Sequence, residues 1–212
     1  MTEEEARRYL TDELAVPRET LDRVADFVEL LRSESDQQNL IARGTYDTIW
    51  SRHILDSAQL VRFAPAAKTW IDLGSGAGFP GLIVAAIHPA EVTLVESRRL
   101  RVDFLTRAAE VLGLPSRTRI VGDKVERLEP ATYEVISARA FAPLDRLLDL
   151  SQRFAAPTTR WVLPKGRNAQ SELDAVRRSW QGMFHVEPSL TDPDAGIILA
   201  ERVSRRGGKG AR

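Results

Sequence analysis

One stretch of the sequence decides the fold: residues 70–81, which read Trp-Ile-Asp-Leu-Gly-Ser-Gly-Ala-Gly-Phe-Pro-Gly. Its apolar start predicts a buried strand that ends at Asp72. Three alternating glycines follow, and a loop without side chains lets backbone N–H groups approach a ligand closely. Pro80 suits the first turn of a helix, and the N-terminus of a helix favours an anion. The stretch therefore predicts a nucleotide-type site between a strand and a helix, with a carboxylate at the end of the strand.

Two kinds of cofactor fit this loop. Residues 76–81 match the dinucleotide pattern G-x-G-x-x-G. The longer frame from Asp72 to Gly78, Asp-x-Gly-x-Gly-x-Gly, resembles motif I of the class I S-adenosylmethionine-dependent methyltransferases. S-adenosylmethionine carries an ammonium group, which Asp72 could attract directly or through water, whereas Asp72 would repel a pyrophosphate. We therefore favour S-adenosylmethionine over NAD or FAD.

The next predicted strand also ends on a carboxylate. Residues 91–96 read Glu-Val-Thr-Leu-Val-Glu, and Glu96 follows Gly76 by about 20 positions, the spacing at which an acidic residue reaches ribose hydroxyls. All the candidate cofactors contain a ribose. Glu96 therefore supports the nucleotide-type site without distinguishing between them.

The length and composition of the chain exclude several classes of protein. A chain of 212 residues suits one α/β domain with a modest extension. The absence of cysteine excludes disulfides, thiolate metal sites and methylation of pyrimidine C5 through a cysteine adduct. No apolar run approaches the ~18 residues of a membrane span, and the acidic N-terminus is not a signal peptide. We expect a cytoplasmic protein. Its net charge is zero, yet its arginines cluster at residues 98–101, 117–119, 177–178 and 205–206.

The chain divides into three segments. Residues 1–64 are predicted to form an N-terminal helical extension, with a capping box at residues 2–5. Residues 65–203 alternate between strand and helix patterns, which predicts a Rossmann-like domain with a seven-stranded, mostly parallel sheet and a final antiparallel hairpin at its edge. We expect strands at 69–72, 92–95, 118–121, 133–137, 160–163, 184–187 and 196–203, and helices near 80–87, 98–112, 143–154 and 168–181. Residues 204–212 form a basic, glycine-rich tail that we expect to be disordered.

Further motifs resemble one family of class I methyltransferases. They are Asn-Leu at 39–40, Arg-His-Ile-Leu-Asp-Ser at 52–57, Val-Glu at 125–126, Ser-Ala-Arg-Ala at 137–140 and Lys-Gly at 165–166. Together with the glycine loop, this ordered set closely resembles the bacterial ribosomal RNA small subunit methyltransferase G family, also called glucose-inhibited division protein B. The resemblance implies transfer of a methyl group from S-adenosylmethionine to N7 of a guanine in 16S ribosomal RNA. It also implies a monomer that acts on 16S ribosomal RNA or a small ribosomal subunit particle, with no metal.

The same resemblance implies roles for individual residues. Gly74 and Phe79 would contact the methionine end of the cofactor, and Val125 and Glu126 would flank its adenine. Arg139 would lie at the end of the fourth strand, near the cofactor and the reaction centre. One position departs from the family: Glu134 stands where Asp is common, and we interpret it as a residue at the entry of the fourth strand.

The residues themselves favour attack by a ring nitrogen. The fourth strand lacks the Asn/Asp-Pro-Pro-aromatic motif with which other enzymes hold an exocyclic amine. The lone pair of guanine N7 is already nucleophilic, so catalysis needs alignment rather than a general base. Arg139 and Lys165 could donate to guanine O6 or to a phosphate. His53 and Asp56 share a helix face. They could form a proton relay, but we favour a role for His53 in holding the extension and contacting RNA.

The candidate residues fall into three sets, and two functions remain as alternatives to an RNA methyltransferase. The candidate cofactor-binding residues are Asp72, Gly74, Gly76, Phe79, Glu96, Val125, Glu126 and Arg139. Arg139 and Lys165 are the candidate catalytic residues, and His53, Arg139 and Lys165 the candidate RNA-binding residues. A methyltransferase of small molecules would have a substrate lid rather than an arginine-rich surface. A binding module without catalysis would not need Arg139 and Lys165. No cluster has the spacing of a metal site.

Overall fold

A seven-stranded sheet forms the centre of the computed structural model, which describes residues 1–34 and 37–207. The strand order is β3-β2-β1-β4-β5-β7-β6. The first five strands are parallel, and β7 runs antiparallel to both β5 and β6. This confirms the predicted mostly parallel sheet with a hairpin at its edge. The strands are β1 Thr69–Leu73, β2 Glu91–Val95, β3 Thr118–Val121, β4 Val135–Ser137, β5 Arg160–Gly166, β6 Trp180–Pro188 and β7 Gly196–Arg205.

Helices precede the sheet and alternate with its parallel strands. The α-helices are α1 Glu3–Asp12, α2 Arg18–Glu34, α3 Asp56–Ala58, α4 Gly81–Ile87, α5 Arg99–Val111, α6 Leu144–Ser151 and α7 Ala169–Val176. Around α3 the chain forms a 3-10 helix at Arg43–Thr48, a π-helix at Trp50–Leu55 and a second 3-10 helix at Gln59–Phe63. Two further 3-10 turns are Val125–Arg127 and Gln152–Phe154. The capping box predicted at the N-terminus is present: the amide of Glu5 donates to Thr2 Oγ1, and the amide of Thr2 donates to the Glu5 carboxylate.

Both faces of the sheet are covered because successive strand residues point to opposite sides. Trp70 belongs to a hydrophobic cluster that includes Phe27 of α2 and Phe104 of α5. Its neighbour Ile71 belongs to a second cluster, with residues of α6 and α7. The N-terminal helices therefore pack into the same core as the helices that cover one face of the sheet.

The structure corrects two predicted boundaries near the C-terminus. The helix expected over 168–181 ends at Val176, and β6 begins at Trp180, whose buried indole donates to Asp145. Strand β7 continues to Arg205, two residues into the segment expected to be a disordered tail, because that arginine pairs with Trp180 across the hairpin. Residues 208–212 of the predicted tail lie outside the described residues. No helix in the described part of the chain is long and apolar enough to cross a membrane.

Candidate functional site

The sheet reverses its strand order between β1 and β4, and ligands of open α/β sheets bind beyond the carboxyl ends of the strands at such a point. Asp72 lies near the end of β1, and the glycine loop follows that strand. Arg139 follows β4 by two residues, and Glu96 follows β2 directly. The fold thus brings most of the candidate cofactor residues to one edge.

The glycine loop has the backbone that its sequence predicts. Gly74, Gly76 and Gly78 have φ values of 71°, 57° and 93°, in the left-handed region that side chains disfavour. A Cβ built on Gly76 would make ordinary van der Waals contacts with Arg101 Nη1 at 3.6 Å and the backbone oxygen of Gly74 at 3.7 Å, so sterics alone do not exclude it. At Gly74 the ring of Phe141 already lies against the backbone. The loop presents bare backbone at these glycines, which a nucleoside cofactor can approach closely.

Glu96 ties the glycine loop to the end of β2. Its nearly buried carboxylate accepts hydrogen bonds from the amides of Gly76 (3.1 Å), Ser97 (2.7 Å) and Arg98 (2.9 Å). Arg101 Nη1 lies 3.7 Å away. The carboxylate therefore lies beside the backbone of Gly76, and its contact with a ribose stays a prediction.

Asp72 is fully buried and bonded within the protein. Its Oδ1 accepts from Ser137 Oγ at 2.7 Å, and its Oδ2 accepts from the amide of Gly81 at 3.2 Å. Burial raises the pKa of Asp72 to about 6, against the opposing effect of these hydrogen bonds. The carboxylate thus joins β1, β4 and the start of α4. Both oxygens of Asp72 already accept hydrogen bonds within the protein. The predicted attraction between Asp72 and a cofactor ammonium would therefore act across these donor groups rather than by direct contact.

Arg139 is held by the N-terminal extension. Its Nη2 donates to His53 Nδ1 at 2.9 Å, and its Nη1 lies 3.3 Å from both the backbone oxygen of Arg52 and Asp56 Oδ2. The guanidinium carbon lies 5.1 Å from the centroid of the Phe79 ring, a cation–π distance. Burial lowers the pKa of Arg139, and the Asp56 carboxylate opposes this effect.

The backbone beside Arg139 is itself unusual. Ala140 has a φ of 51°, and a non-glycine residue in this region marks local strain of the kind that collects at functional sites. The three residues that hold Arg139 include two from the π-helix Trp50–Leu55, and π-helical turns are also frequent at functional sites.

His53 is a hydrogen-bond acceptor toward Arg139. Because a guanidinium only donates, Nδ1 must accept, and the proton lies on Nε2, which is 3.0 Å from Thr45 Oγ1. Burial, together with the charges of Arg139 and Arg52, lowers the pKa of His53 to about 3. Its ring also stacks on Phe79, with centroids 5.1 Å apart. His53 and Asp56 each contact Arg139, so the geometry favours the holding role over a His–Asp relay.

Comparison with known proteins now adds the family. A family model described as rRNA small subunit methyltransferase G (GidB) matches residues 20–192. The chain belongs to this family.

Two relatives illustrate the extent of the likeness. The ribosomal RNA small subunit methyltransferase G of Rhizorhabdus wittichii is 54% identical over 210 residues, which cover 98% of this chain and 96% of the relative. That of Novosphingobium aromaticivorans is 53% identical over 203 residues, covering 94% and 88% of the two chains. A crystal structure of a mutant of MtNAS in complex with S-adenosylmethionine has a TM-score of 0.55 at 16% identity, covering 94% of this chain and 83% of that one, and shows the shared fold.

Membership of the methyltransferase G family confirms the predicted family and the predicted class of enzyme. The chain is an S-adenosylmethionine-dependent ribosomal RNA methyltransferase, and its sheet is that of the class I methyltransferases. The individual roles of the site residues in this methyltransferase stay predictions.

Lys165 lies under the loop that follows Arg139. Its side chain is only 9% exposed, with Nζ 3.0 Å from Glu172 Oε2 and donating to the backbone oxygen of Ala142 at 2.9 Å. The same Glu172 oxygen accepts from the amide of Leu144. Lys165 therefore holds the loop at residues 142–144, directly and through Glu172, and its direct contact with RNA stays a prediction.

Val125 and Glu126 begin the 3-10 turn that follows β3. Val125 is buried, whereas Glu126 is about half exposed and lies 2.8 Å from Arg146. Their predicted place beside the adenine stays a prediction. Glu134 precedes β4 and accepts from the amide of Lys68, as its interpretation as a strand-entry residue expects. In the described part of the chain, no group of three or more histidine and carboxylate side chains could hold a metal ion.

Sequence reasoning missed several residues that border this site. Phe141 was visible only as an apolar neighbour of Arg139. Gln59 and Thr191 gave no signal, because the bonds that join the extension to the loop between β6 and β7, from Gln59 to Ser189 and Leu190 and from Thr191 to Asp56, span 130 or more positions. Only the folded chain brings such pairs together.

Proposed function

We propose that this methyltransferase transfers the methyl group of S-adenosylmethionine to N7 of a guanine in 16S ribosomal RNA. The observation that carries the proposal is the state of His53, the imidazole nearest to Arg139. Its Nδ1 lone pair accepts a hydrogen bond from Arg139, and its pKa lies near 3. This imidazole is not arranged as a general base, and the N7 lone pair needs none.

The residues at the sheet edge fit the cofactor. In this proposal Gly74, Gly76 and Phe79 approach its methionine end and Glu96 its ribose, with Asp72 behind the loop. Val125 and Glu126 flank the adenine. When bound, the cofactor supplies a methyl group activated by a sulfonium. The left-handed backbone of the glycine loop and the Glu96 carboxylate bonded to the Gly76 amide support this arrangement.

Arg139 is proposed to orient the guanine. A guanidinium has five N–H groups, and the contacts with Arg52, His53 and Asp56 involve only Nη1 and Nη2. The side chain is 19% exposed, and we propose that its remaining N–H groups, on Nε and Nη2, face the ligand. Donation to guanine O6 or to a phosphate would align N7 with the methyl group, and such alignment commonly contributes orders of magnitude in rate.

Lys165 and His53 then support Arg139 from two sides. Lys165 holds the backbone of the loop after Arg139, and His53 holds the guanidinium itself. We propose that both lie close enough to the RNA to line its path. The enzyme is proposed to act as a monomer in the cytoplasm, without a metal, on 16S ribosomal RNA or a small ribosomal subunit particle.

The test compares ribosomal RNA from cells with and without the gene. Digestion and mass spectrometry should show one 7-methylguanosine in 16S ribosomal RNA that disappears with the gene and returns with the wild-type copy. The purified enzyme should restore the modification on RNA or on particles from the deletion strain. An unchanged content of 7-methylguanosine would overturn the proposal, and methylation of a different base atom would correct its chemistry.

A further inference from the structure

Asp56, the carboxylate that touches Arg139, is itself held from the opposite side. Its Oδ2 faces Arg139 Nη1 at 3.3 Å. Its Oδ1 accepts from Gln59 Nε2 at 2.9 Å and from Thr191 Oγ1 at 3.1 Å. One oxygen therefore holds the arginine, and the other is fixed by two neutral donors.

Gln59 is a fully buried amide with every polar atom bonded. Its Nε2 donates to Asp56 and to Ser189 Oγ (3.1 Å), and its Oε1 accepts from the amide of Leu190 (2.9 Å). Because an amide has two N–H groups, one of them is shared between the backbone and side-chain oxygens of Asp56. Gln59 therefore joins the N-terminal extension to the loop between β6 and β7.

The hydroxyl groups of that loop have a defined direction. Thr191 has one hydroxyl proton, and donating it to Asp56 leaves Ser189 Oγ to donate to Thr191 Oγ1 at 2.9 Å. Ser189 Oγ in turn accepts from Gln59 and from the amide of Thr191. The hydroxyl and amide groups of this network donate in sequence, from Gln59 to Ser189 to Thr191, and the last acceptor is the Asp56 carboxylate. A polar network in which every group is bonded specifies one geometry.

We propose that Thr191 and Gln59 are positioning residues for methyl transfer: they fix Asp56, which fixes Arg139. This inference rests on the proposed role of Arg139 in orienting the guanine. The loop between β6 and β7, 135 residues from Asp56 in the chain, is then part of the methyl-transfer machinery. Neither residue touches Arg139, so both act through the carboxylate.

The experiment removes one hydroxyl and restores it. Thr191→Val keeps the shape of the side chain but loses the donor to Asp56, whereas Thr191→Ser keeps the donor. We expect Thr191→Val to lower kcat on 16S ribosomal RNA about tenfold, since small misplacements of a catalytic group are costly. The KM for S-adenosylmethionine should stay within about twofold of wild type, and Thr191→Ser should be close to wild type. Thr106→Val, on the exposed side of α5, is the matched control.

A second readout does not depend on turnover. With ¹⁵N-labelled arginine, the Nη–H signals of Arg139, assigned from the Arg139→Lys spectrum, should exchange faster with water in Thr191→Val than in wild type or Thr106→Val. If Thr191→Val lowers the melting temperature, Ser189→Ala tests the same network one bond further away and should give a smaller change in both readouts.

The outcomes separate this inference from the proposed function. A wild-type enzyme that leaves 16S ribosomal RNA unmethylated overturns the proposed function, and with it the catalytic part of the inference, while the exchange measurement still decides whether the network holds Arg139. An active wild type together with a Thr191→Val variant that is normal in either readout overturns the positioning role. A Thr191→Ser variant as slow as Thr191→Val also overturns it, because the hydroxyl would then be irrelevant.

Discussion

Arg139 and Lys165 belong to the carboxyl ends of two neighbouring strands, yet the regions around them are built from different parts of the chain. The partners of Arg139 come from the N-terminal extension, 83 to 87 positions away. The partners of Lys165 are local: Ala142 in the preceding loop, 23 positions away, and Glu172 on α7. Two cations with the same place in the sequence pattern therefore have different surroundings.

The difference shows why a cation at a strand end is an incomplete signal. The extension holds Nη1 and Nη2 of Arg139, the guanidinium lies 5.1 Å from the Phe79 ring centroid, and these contacts leave its Nε–H without a partner among the described residues. The Lys165 ammonium is more deeply covered and is bonded to a carboxylate and a backbone oxygen. We therefore expect Arg139 to act on the substrate and Lys165 to act on the loop that carries Arg139.

The largest effect should come from Arg139→Ala. Loss of the guanidinium should lower the rate of methyl transfer by roughly a hundredfold or more, because alignment of the guanine is lost. Circular dichroism should remain close to wild type, because the variant is expected to keep its fold. Full turnover by the folded variant would return Arg139 to a structural role and remove the contrast with Lys165.

The contribution of the glycine loop to cofactor binding can be tested separately from Arg139 and Lys165. Gly76→Val should weaken binding of S-adenosylmethionine at least tenfold, roughly 1.4 kcal/mol by calorimetry. The sequence alone suggests that no Cβ fits here, but the structure leaves space for one. The expected cause is instead the φ of 57°, where a β-branched residue is strained. Gly44→Val, with no atom within 4 Å of its new Cβ, is the control. Normal affinity in Gly76→Val would mean that the cofactor lies elsewhere.

Lys165→Met should have a smaller effect and a distinctive salt dependence. We expect methyl transfer to fall by about tenfold, as the loop after Arg139 loses its support. The slope of log affinity for RNA against log salt should not change, whereas the loss of one phosphate contact would lower it by about 0.7 to 0.9. Lys68→Met, an exposed lysine on the opposite end of β1, is the control. A changed slope would mean that Lys165 contacts an RNA phosphate directly.

The smallest expected effects are on the pH dependence of the free energy of unfolding. They test the surroundings of Asp72 and His53, two titratable groups near Arg139. The raised pKa of Asp72 means that the folded state binds more protons between about pH 4 and 6, so its contribution falls as pH rises. The lowered pKa of His53 means that the unfolded state binds more protons from about pH 3 to 6.5, so its contribution rises with pH. The two slopes oppose each other.

Variants should separate these slopes. From pH 4 to 6, urea unfolding of Asp72→Asn should show stability rising more with pH than in wild type, by at most about 1.4 kcal/mol per pH unit. His53→Gln should shift the dependence in the opposite direction. Parallel profiles for wild type and both variants would contradict the buried environments described for these groups.

Local patterns were sufficient to predict most of the fold. Apolar runs predict the five parallel strands to within about three residues, and the alternation with helices predicts their parallel arrangement. The extension was less predictable: residues 43–63 form a succession of 3-10, π and α turns rather than one helix. The end of the helix before β6 was also missed, because the burial of Trp180 against Asp145 overrides its local helical pattern.

The sequence by itself determined the α/β class, the glycine loop, the family and the presence of Asp72, Glu96 and Arg139 at strand ends. These follow from short-range spacing, since backbone freedom at glycine and the periodicity of strands are local properties. Only the tertiary structure decided what each side chain contacts. Asp72 accepts hydrogen bonds from Ser137 and Gly81. Lys165 pairs with Glu172, and Arg139 is bonded to His53 and Asp56. The physical reason is that these contacts, which join residues between 7 and 86 positions apart, depend on how the whole chain packs. Spacing along the sequence alone does not specify them.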